Sequence, residues 1–489
     1  MMKRKRGFDF WNIVVLMFII LILLFIIYPF SALAVKSVRM EDGTLSLKYY
    51  IKFFTSRYYR TALFNSLKVS LLSTVFACLI GIPMAYFSCR FQIRGKKLLD
   101  NLCIIAMLSP PFIGAYAWIM LMGRSGYITT FVHSLTGITL PSIYGLTGIL
   151  LVFTLKLFPY VYLYVSGALG SMDASLEEAA ESLGEHGIKR LLTITFPLIL
   201  PTILSSALMV FMTSLADFGT PAIIGEGFKV LPVLIYNEYV GEMGGETGLA
   251  NALSIVVISI ALLVMVLQKR AIAGRDYKMS GLRHPEVKKL KGISAVLVHV
   301  FLFFIGFLAI LSQLTIAVSS FRNTSGPVFT KGFGFGSYVE AFSGMGRAIR
   351  NTYSFSMIAI AVIILLSILL SYLVVRRNTK LINLIDMLVM FPYVIPGAVL
   401  GLMLIGAFNK KPIILTGTVV IMIVSYVIRK MPFTLRSSIG ILYQIEPSID
   451  EASISLGVSP VKTFFRITAP MMVSGIVSGG DFELDSDHQ

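Results

Sequence analysis

The chain has 489 residues, of which 56% are apolar and only 14% are charged, and its mean hydropathy is +0.82. Because soluble domains carry about 25% charged residues, this composition excludes a soluble globular protein and predicts one that crosses a membrane several times. The net charge is +17, but the basic residues flank apolar runs. This pattern indicates membrane topology and contact with anionic lipid rather than binding of nucleic acid.

Ten apolar runs follow one another along the chain, and an eleventh begins near Thr468. A helix of about 20 apolar residues crosses the hydrocarbon layer with all its backbone groups paired, so the fold class predicted is an all-α polytopic membrane protein with about ten to eleven transmembrane helices. The ten runs lie near residues 11–34, 63–88, 101–122, 145–168, 193–215, 249–267, 292–318, 353–375, 384–407 and 414–441.

The first run follows the basic hexapeptide MMKRKR, as the apolar core of a signal peptide would. It is too long for such a core and lacks a small-x-small cleavage site, which predicts a retained membrane anchor. Since lysine and arginine collect in cytoplasmic segments, the N-terminus and the basic linker 269–291 are predicted to be cytoplasmic. The basic segment from Lys36 to Arg60 disagrees, because it must then face outward.

Residues that carry catalysis or bind metals are scarce. Cys78, Cys89 and Cys103 lie in or beside apolar runs without CxxC spacing, which supports neither a disulfide framework nor a zinc site. The five histidines are scattered, and the chain contains no HExxH, GxSxG or GxxxxGK[ST] motif. We therefore predict no catalytic residue, cofactor or metal site, and any ATP must bind to another chain.

Most of the chain consists of two related halves. A spacing of 286 residues relates Asn65 to Asn351, Tyr86 to Tyr372, Arg90 to Arg376, Asp100 to Asp386 and Pro110 to Pro396. A spacing of 273 residues relates Pro159 to Pro432, Gly167 to Gly440, Glu178 to Glu451, Ala179 to Ala452, Ser182 to Ser455, Gly184 to Gly457, Lys189 to Lys462 and Pro197 to Pro470. Duplicated halves of a multi-helix membrane protein indicate a transport path between them.

The repeat divides the chain into six predicted segments. They are an N-terminal anchor helix with an external segment at 1–60, a first repeat at 61–268, the basic linker at 269–291, an extra helix with an external segment at 292–350, a second, incomplete repeat at 351–480, and an acidic tail at 481–489.

Each half contains one charged, glycine-containing segment between apolar runs. The two segments are EEAAESLGEHGIKRLLTITFP at 177–197 and DEASISLGVSPVKTFFRITAP at 450–470. Each predicts a short amphipathic helix, a turn at a glycine, and a second helix that reaches a proline at the membrane. In the first copy Ala179 lets a partner surface approach, Glu178 can pair with a cation, and Gly184 permits a turn that a Cβ atom would resist.

At these residues the sequence resembles the integral membrane permeases of bacterial ABC importers, whose EAA loop carries an EAA core and a glycine a few residues later. The resemblance covers nearly the whole chain. It implies a multi-pass protein of the bacterial cell membrane that is not itself an enzyme. It also implies two kinds of partner. One is a homodimer of cytoplasmic ATP-binding subunits, and the other is an extracytoplasmic substrate-binding protein. The second copy departs from the core in having Ser453 for the last alanine.

By this resemblance, six residues are assigned to ATPase coupling: Glu178, Ala179 and Gly184 in the first EAA loop (residues 177–197), and Glu451, Ala452 and Gly457 in the second (residues 450–470).

The substrate class is less closely defined. The stretch ADFGTPAIIGEGFKVLPVLIYNEYVG at 216–241, together with two EAA loops in one chain, resembles permeases of the ferric iron type. Permeases for aminoethylphosphonate, thiamine, polyamines or sulfate share much of this pattern and are alternatives. Two alternatives belong to other classes, an ion-coupled secondary transporter and a structural membrane scaffold.

Basic residues inside predicted spans include Lys156, its repeat partner Arg429, Lys430 and Arg436. Each costs roughly 2.5 to 3.5 kcal/mol on insertion scales. One interpretation is a translocation path lined by Lys156 and Arg429, with Asp217 as a nearby carboxylate, that accepts an anion or an anion-chelated metal. The other is pairing with Asp100, Asp386 or helix-end carbonyls, or extension of the side chains to the membrane surface.

The end of the chain interrupts the repeat. At the 273-residue spacing Ser478 corresponds to Ser205. The second half therefore lacks counterparts of most of the fifth run and of all of the sixth run. The closing residues GDFELDSDHQ are too acidic to continue a span. We expect a chain truncated or read out of frame after Gly479 or Gly480, which would assemble poorly; a short cytoplasmic tail is the alternative.

Overall fold

The computed structural model describes residues 10–40, 42–241, 246–272, 287–326 and 328–478, most of which are helical. The acidic tail, the hexapeptide MMKRKR and most of the basic linker lie outside these ranges. In chain order the helices begin with α1 Phe10–Ile22, α2 Tyr28–Val38, α3 Lys48–Thr55, α4 Arg57–Arg90, α5 Lys96–Met107, α6 Pro111–Met122, α7 Tyr127–Thr136, α8 Leu146–Gly170, α9 Ala174–Ser182, α10 Gly187–Arg190 and α11 Phe196–Ala216.

The later helices are α12 Gly219–Ile224, α13 Leu231–Val240, α14 Thr247–Ile272, α15 Gly292–Ser320, α16 Gly336–Tyr372, α17 Lys380–Val394, α18 Gly397–Phe408, α19 Val419–Gln444, α20 Pro447–Ser455, α21 Pro460–Thr463 and α22 Ala469–Ser478. Short π-helical segments occupy Leu23–Ile27, Leu191–Thr195, Leu373–Arg377 and Phe464–Thr468. The all-α class predicted from the sequence is confirmed. One antiparallel hairpin, β1 Arg322–Ser325 with β2 Val328–Phe333, was not predicted.

Seven helices among the described residues are long and apolar enough to span a membrane, and the count becomes nine if each of two bent pairs forms one span. The predicted count of ten to eleven is therefore not confirmed. The bent pairs overlap the predicted runs 101–122 and 384–407, and the chain bends by 105° and 110° at their breaks. Pro110 and Pro396 stand at the two breaks, where proline withholds the backbone donor that a continuous helix needs.

The chain forms two compact units that do not follow the linear order of the predicted segments. One unit comprises the described parts of 1–45 and 342–489, and the other comprises those of 46–341. The N-terminal anchor thus belongs with the second repeat, and α15 belongs with the first. The predicted segment boundaries remain a prediction.

In the contiguous unit, 46–341, the core forms where α4, α8 and α11 pack together. Phe153, Phe158 and Tyr162 on α8 are buried there. The helices approach closely at Gly81, where a Cβ atom would lie 2.7 Å from Val161 Cβ and 2.9 Å from the Phe158 carbonyl oxygen. Helix α15 packs along both arms of the bent pair formed by α5 and α6.

In the other unit, α2 packs against α18 and α1 packs against α17. Trp11 stacks on Tyr372 with a ring-centroid distance of 4.4 Å and meets Phe464 edge to face at 5.0 Å. Lys36 Nζ donates to the Gly406 carbonyl oxygen at 2.6 Å. The N-terminal helices are therefore held to the second repeat at both of their ends.

The contact at Gly81 yields a stability prediction. Gly81→Val should lower the melting temperature of the detergent-solubilised protein, because overpacking a tight contact costs about 1 to 3 kcal/mol. Thermal unfolding followed by size-exclusion chromatography measures this change. Gly167→Ala on α8 is the control, since no atom lies within 4 Å of the added Cβ. Equal melting temperatures for Gly81→Val and the wild type would contradict the close helix contact.

Candidate functional site

The first EAA loop begins with helix α9, which the Asp173 side chain caps by accepting a hydrogen bond from the Ser175 amide at 3.0 Å. The helix ends in a left-handed turn at Gly184, whose φ is +87°. The Glu185 amide donates to the Ala180 carbonyl oxygen across this turn at 3.0 Å, as in a Schellman motif. The predicted glycine turn is present.

The second EAA loop repeats this geometry on helix α20. Gly457 also has a φ of +87°, and the Val458 amide donates to the Ser453 carbonyl oxygen at 3.2 Å. Neither glycine has an atom within 4 Å of where a Cβ would stand. Backbone conformation, rather than crowding, therefore favours glycine at these two positions.

Beyond each turn the chain forms one helical turn and then a π-helical segment, Leu191–Thr195 or Phe464–Thr468, before α11 or α22 begins. Pro197 and Pro470 follow these segments at the same repeat position. Proline donates no backbone hydrogen bond to the preceding turn. The proline therefore accounts for the wider π-helical turn before it in both halves.

The four predicted coupling residues other than the glycines share one environment. Glu178, Ala179, Glu451 and Ala452 are all exposed. The leucine before each glycine is more exposed still, since Leu183 and Leu456 both show 86% of their surface. These residues form an outward face on each loop, while Ala180 and Ser453 are buried beneath it.

A buried ion pair that sequence analysis missed lies beneath the first loop. Arg90 Nη2 contacts Glu177 Oε1 at 2.5 Å, and the Thr195 hydroxyl donates to the same oxygen at 3.0 Å. The two charged side chains are 8% and 13% exposed. We call Arg90, Glu177 and Thr195 the first anchor cluster. The acid that pairs with arginine is thus one residue before the predicted Glu178.

The second anchor cluster consists of Arg376, Asp450 and Thr468. Arg376 Nε donates to Asp450 Oδ2 at 3.1 Å, and the Thr468 hydroxyl donates to Asp450 Oδ1 at 2.6 Å. The repeat itself carries the signal for both clusters. Arg90 and Arg376 match at the 286-residue spacing, and both the acids and the threonines match at the 273-residue spacing.

Two of the three predicted path residues contact each other. Lys156 Nζ lies 3.5 Å from Asp217 Oδ2, and their side chains are 14% and 5% exposed. Asp217 also accepts a hydrogen bond from the Thr220 amide at 2.9 Å, at the start of α12. Asp100, considered from the sequence as a partner for such cations, instead accepts a hydrogen bond from the Tyr162 hydroxyl.

The third path residue, Arg429, lies against the break of a bent helix pair. A Cβ atom on Gly397, the first residue of α18, would stand 1.6 Å from Arg429 Nη1. Lys156 lines a small cavity with Pro111, the first residue of α6. The two repeat-related cations therefore occupy corresponding places, each at the break in its own unit. Of the other intramembrane cations, Arg436 pairs with Asp386 at 2.9 Å.

Acidic, histidine and cysteine side chains do not gather elsewhere in the described ranges. No group of three or more lies close enough together to hold a metal ion there.

Comparison with known proteins identifies the family. The family described as "Binding-protein-dependent transport system inner membrane component" matches residues 77–274 and 363–480. Each matched stretch contains one EAA loop, which confirms the duplication and the resemblance found in the sequence.

The relatives cover different shares of the chain. A ferric transport system permease protein of Actinobacillus pleuropneumoniae is 28% identical over 98% of this chain and 70% of its own length. One of Haemophilus influenzae is 29% identical over 98% of this chain and 76% of its own length. The molybdenum transport system permease protein of Escherichia coli is 32% identical, over 42% of this chain and 91% of its own length. This chain belongs to the family of binding-protein-dependent transport system inner membrane components and is a multi-pass permease subunit of an ABC importer.

Proposed function

We propose that this permease forms the membrane path of an importer for iron(III), driven by ATP hydrolysis on separate subunits. A binding protein outside the membrane delivers the substrate, and the permease performs no chemistry of its own. The observation that carries the proposal is the shared geometry of the two EAA loops. Each presents an exposed glutamate and alanine, an exposed leucine and a left-handed glycine in the same order.

Two equivalent outward faces fit two copies of one ATP-binding subunit. A single exposed leucine is common on protein surfaces, but Leu183 and Leu456 combine equal exposure with the same repeat position and the same turn. An apolar side chain exposed at the end of a short helix can enter an apolar groove of a partner. We therefore propose a homodimer of ATP-binding subunits, with one subunit on each EAA loop.

The proposed orientation puts both EAA loops, the N-terminus and the linker 269–291 on the cytoplasmic side of the bacterial inner membrane. The basic segment from Lys36 to Arg60 counted against this orientation. Within it, Lys36 bonds to the Gly406 carbonyl oxygen, and Lys52 pairs with Glu246 at 2.9 Å. Within the described ranges, only two of the six basic residues in this segment thus have such partners, so the proposed orientation rests on the basic residues of the other loops.

Iron(III) is the substrate that the comparisons favour. The relatives named for ferric transport match almost the whole chain, whereas the molybdenum relative matches less than half of it. In the proposed path Lys156 and Asp217 offer charges of both signs, and Arg429 lies at the other break. Such a path suits a metal ion whose charge is offset by bound anions.

The substrate is tested with the permease and its ATP-binding subunit reconstituted in liposomes. Binding proteins loaded with iron(III), aminoethylphosphonate or molybdate are compared for stimulation of ATP hydrolysis and for substrate uptake. We expect iron-loaded binding protein alone to stimulate both by several-fold. Stimulation by another loaded protein would overturn the iron assignment, and failure of the ATP-binding subunit to co-purify would overturn the ATP-driven mechanism.

Gly184→Val and Gly457→Val should each uncouple ATP hydrolysis from transport. A side chain at φ +87° costs about 1 to 3 kcal/mol, so the loop abandons the turn that orients its outward face. Uptake should fall about tenfold or more for a change of 1.4 kcal/mol or above, while membrane insertion is unchanged.

The repeat offers matched controls for these variants. Gly167→Ala and Gly440→Ala change helical glycines in α8 and α19, where an added Cβ would meet no atom beyond the local backbone within 4 Å. Both variants should transport normally. Wild-type uptake by both valine variants would contradict the assignment of the turns to coupling.

Lys156→Met should impair transport, because it leaves Asp217 buried without its cation at a cost of about 3 to 5 kcal/mol. The double variant Lys156→Met, Asp217→Asn removes both charges and should restore insertion and assembly. If the pair lines the path, uptake stays altered in the double variant and in Arg429→Met. Normal iron uptake by both of these variants would instead support a purely structural pairing.

A further inference from the structure

The two anchor clusters are buried charged groups that neither the outward faces nor the proposed path uses. Each brings together side chains from three parts of its own unit. In the first, Arg90 is the last residue of α4, Glu177 lies on α9, and Thr195 ends the π-helical segment that precedes α11. A single carboxylate oxygen, Glu177 Oε1, accepts from both partners.

The second cluster has the same connections with a shorter acid. Arg376 lies in the π-helical segment Leu373–Arg377 after α16, Asp450 lies on α20, and Thr468 ends the π-helical segment before α22. Arg376 Nη2 also donates to the Ile445 carbonyl oxygen at 2.8 Å, just beyond α19. With one methylene fewer, Asp450 is bound through Arg376 Nε, whereas Glu177 is bound through Arg90 Nη2.

Burial makes these contacts directional. An arginine and a carboxylate removed from water retain their pairing geometry because separating them would leave two buried charges without compensation. The threonine hydroxyl adds a second point of attachment on a different helix. Each EAA helix is therefore attached on its inner side at two points, to the end of a long helix (α4, or the π-helical segment after α16) and to the π-helical segment before α11 or α22. Its outward face remains exposed.

We propose that the anchor clusters transmit movement of each EAA loop to the membrane helices, with Arg90 and Arg376 as positioning residues for coupling. This inference rests on the proposed ATP-driven function. When an ATP-binding subunit moves the outward face of α9, the carboxylate displaces the end of α4 and the start of α11 together. Helix α20 acts in the same way on the helices of its own unit.

The first test separates the threonine link from the ion pair. Thr195→Val and Thr468→Val keep side-chain shape and leave the arginine–carboxylate contact in place, so the protein is expected to fold. In the reconstituted complex, uptake per ATP hydrolysed should fall several-fold, with ATP hydrolysis retained. Lys189→Gln is the control, because it breaks an exposed ion pair with Glu185, 2.7 Å long, in the same loop, and it should leave that ratio unchanged.

The second test uses the difference between the two copies. Glu177→Gln and Asp450→Asn should each lower uptake per ATP hydrolysed by about tenfold or more. Glu177→Asp and Asp450→Glu should retain most of it, since each acid already serves in the other copy. Rescue by the alternative acid, measured as uptake per ATP, would not follow from a role in folding alone.

Each outcome has one meaning. A wild-type ratio of uptake to ATP hydrolysis in both threonine variants and both amide variants overturns the inference and leaves the proposed function intact. A parallel loss of complex yield, ATP hydrolysis and uptake, without rescue by the alternative acid, also overturns it in favour of a structural role. Absence of ATP-dependent uptake by the wild type overturns the proposed function, and the inference with it.

Discussion

A carboxylate buried beside an arginine is stable only when its other hydrogen bonds are also made, and each EAA loop is built on one such carboxylate. Glu177 and Asp450 set the rotation of α9 and α20, because each must point toward its arginine and threonine. Once that rotation is set, Glu178 and Glu451 face outward, and the glycine turns hold Leu183 and Leu456 at the tips. The outward faces therefore depend on contacts beneath them.

The same need for compensation governs the charges between the membrane-spanning helices. Lys156 has Asp217, and Arg436 has Asp386. Lys156 and Arg429 lie where proline interrupts a span, and non-helical backbone at membrane depth is tolerated only where protein or water satisfies it. A broken helix and an adjacent cation thus occur together in both halves, although Lys156 is mostly buried and Arg429 is exposed.

Sequence reasoning predicted the membrane class, the duplication, both EAA loops and their glycine turns, because these follow from composition and from matching residues. It assigned Glu178 to coupling because this residue is the glutamate of the EAA core, an assignment that stays a prediction. It missed the inward-facing Glu177, because adjacent residues on a helix differ by about 100° in direction and only the packed structure shows which one points inward. The bent pairs, the β1–β2 hairpin and the grouping of α1 and α2 with the second repeat depend on contacts distant in sequence. The anchor clusters could have been found from the sequence, because the repeat relates Arg90 to Arg376 and Thr195 to Thr468.

The discontinuity of one unit bears on how the protein is made. Helices α1 and α2 leave the ribosome first, yet the helices they pack against follow Phe342. Synthesis of the roughly 300 intervening residues takes about 15 to 60 s at the usual rate of translation. During that time α1 and α2 lie in the membrane without the helices of the second repeat that they later contact, and their apolar surfaces are compatible with lipid. The contiguous unit is synthesised in the same interval, so its chain is complete before that of the discontinuous unit.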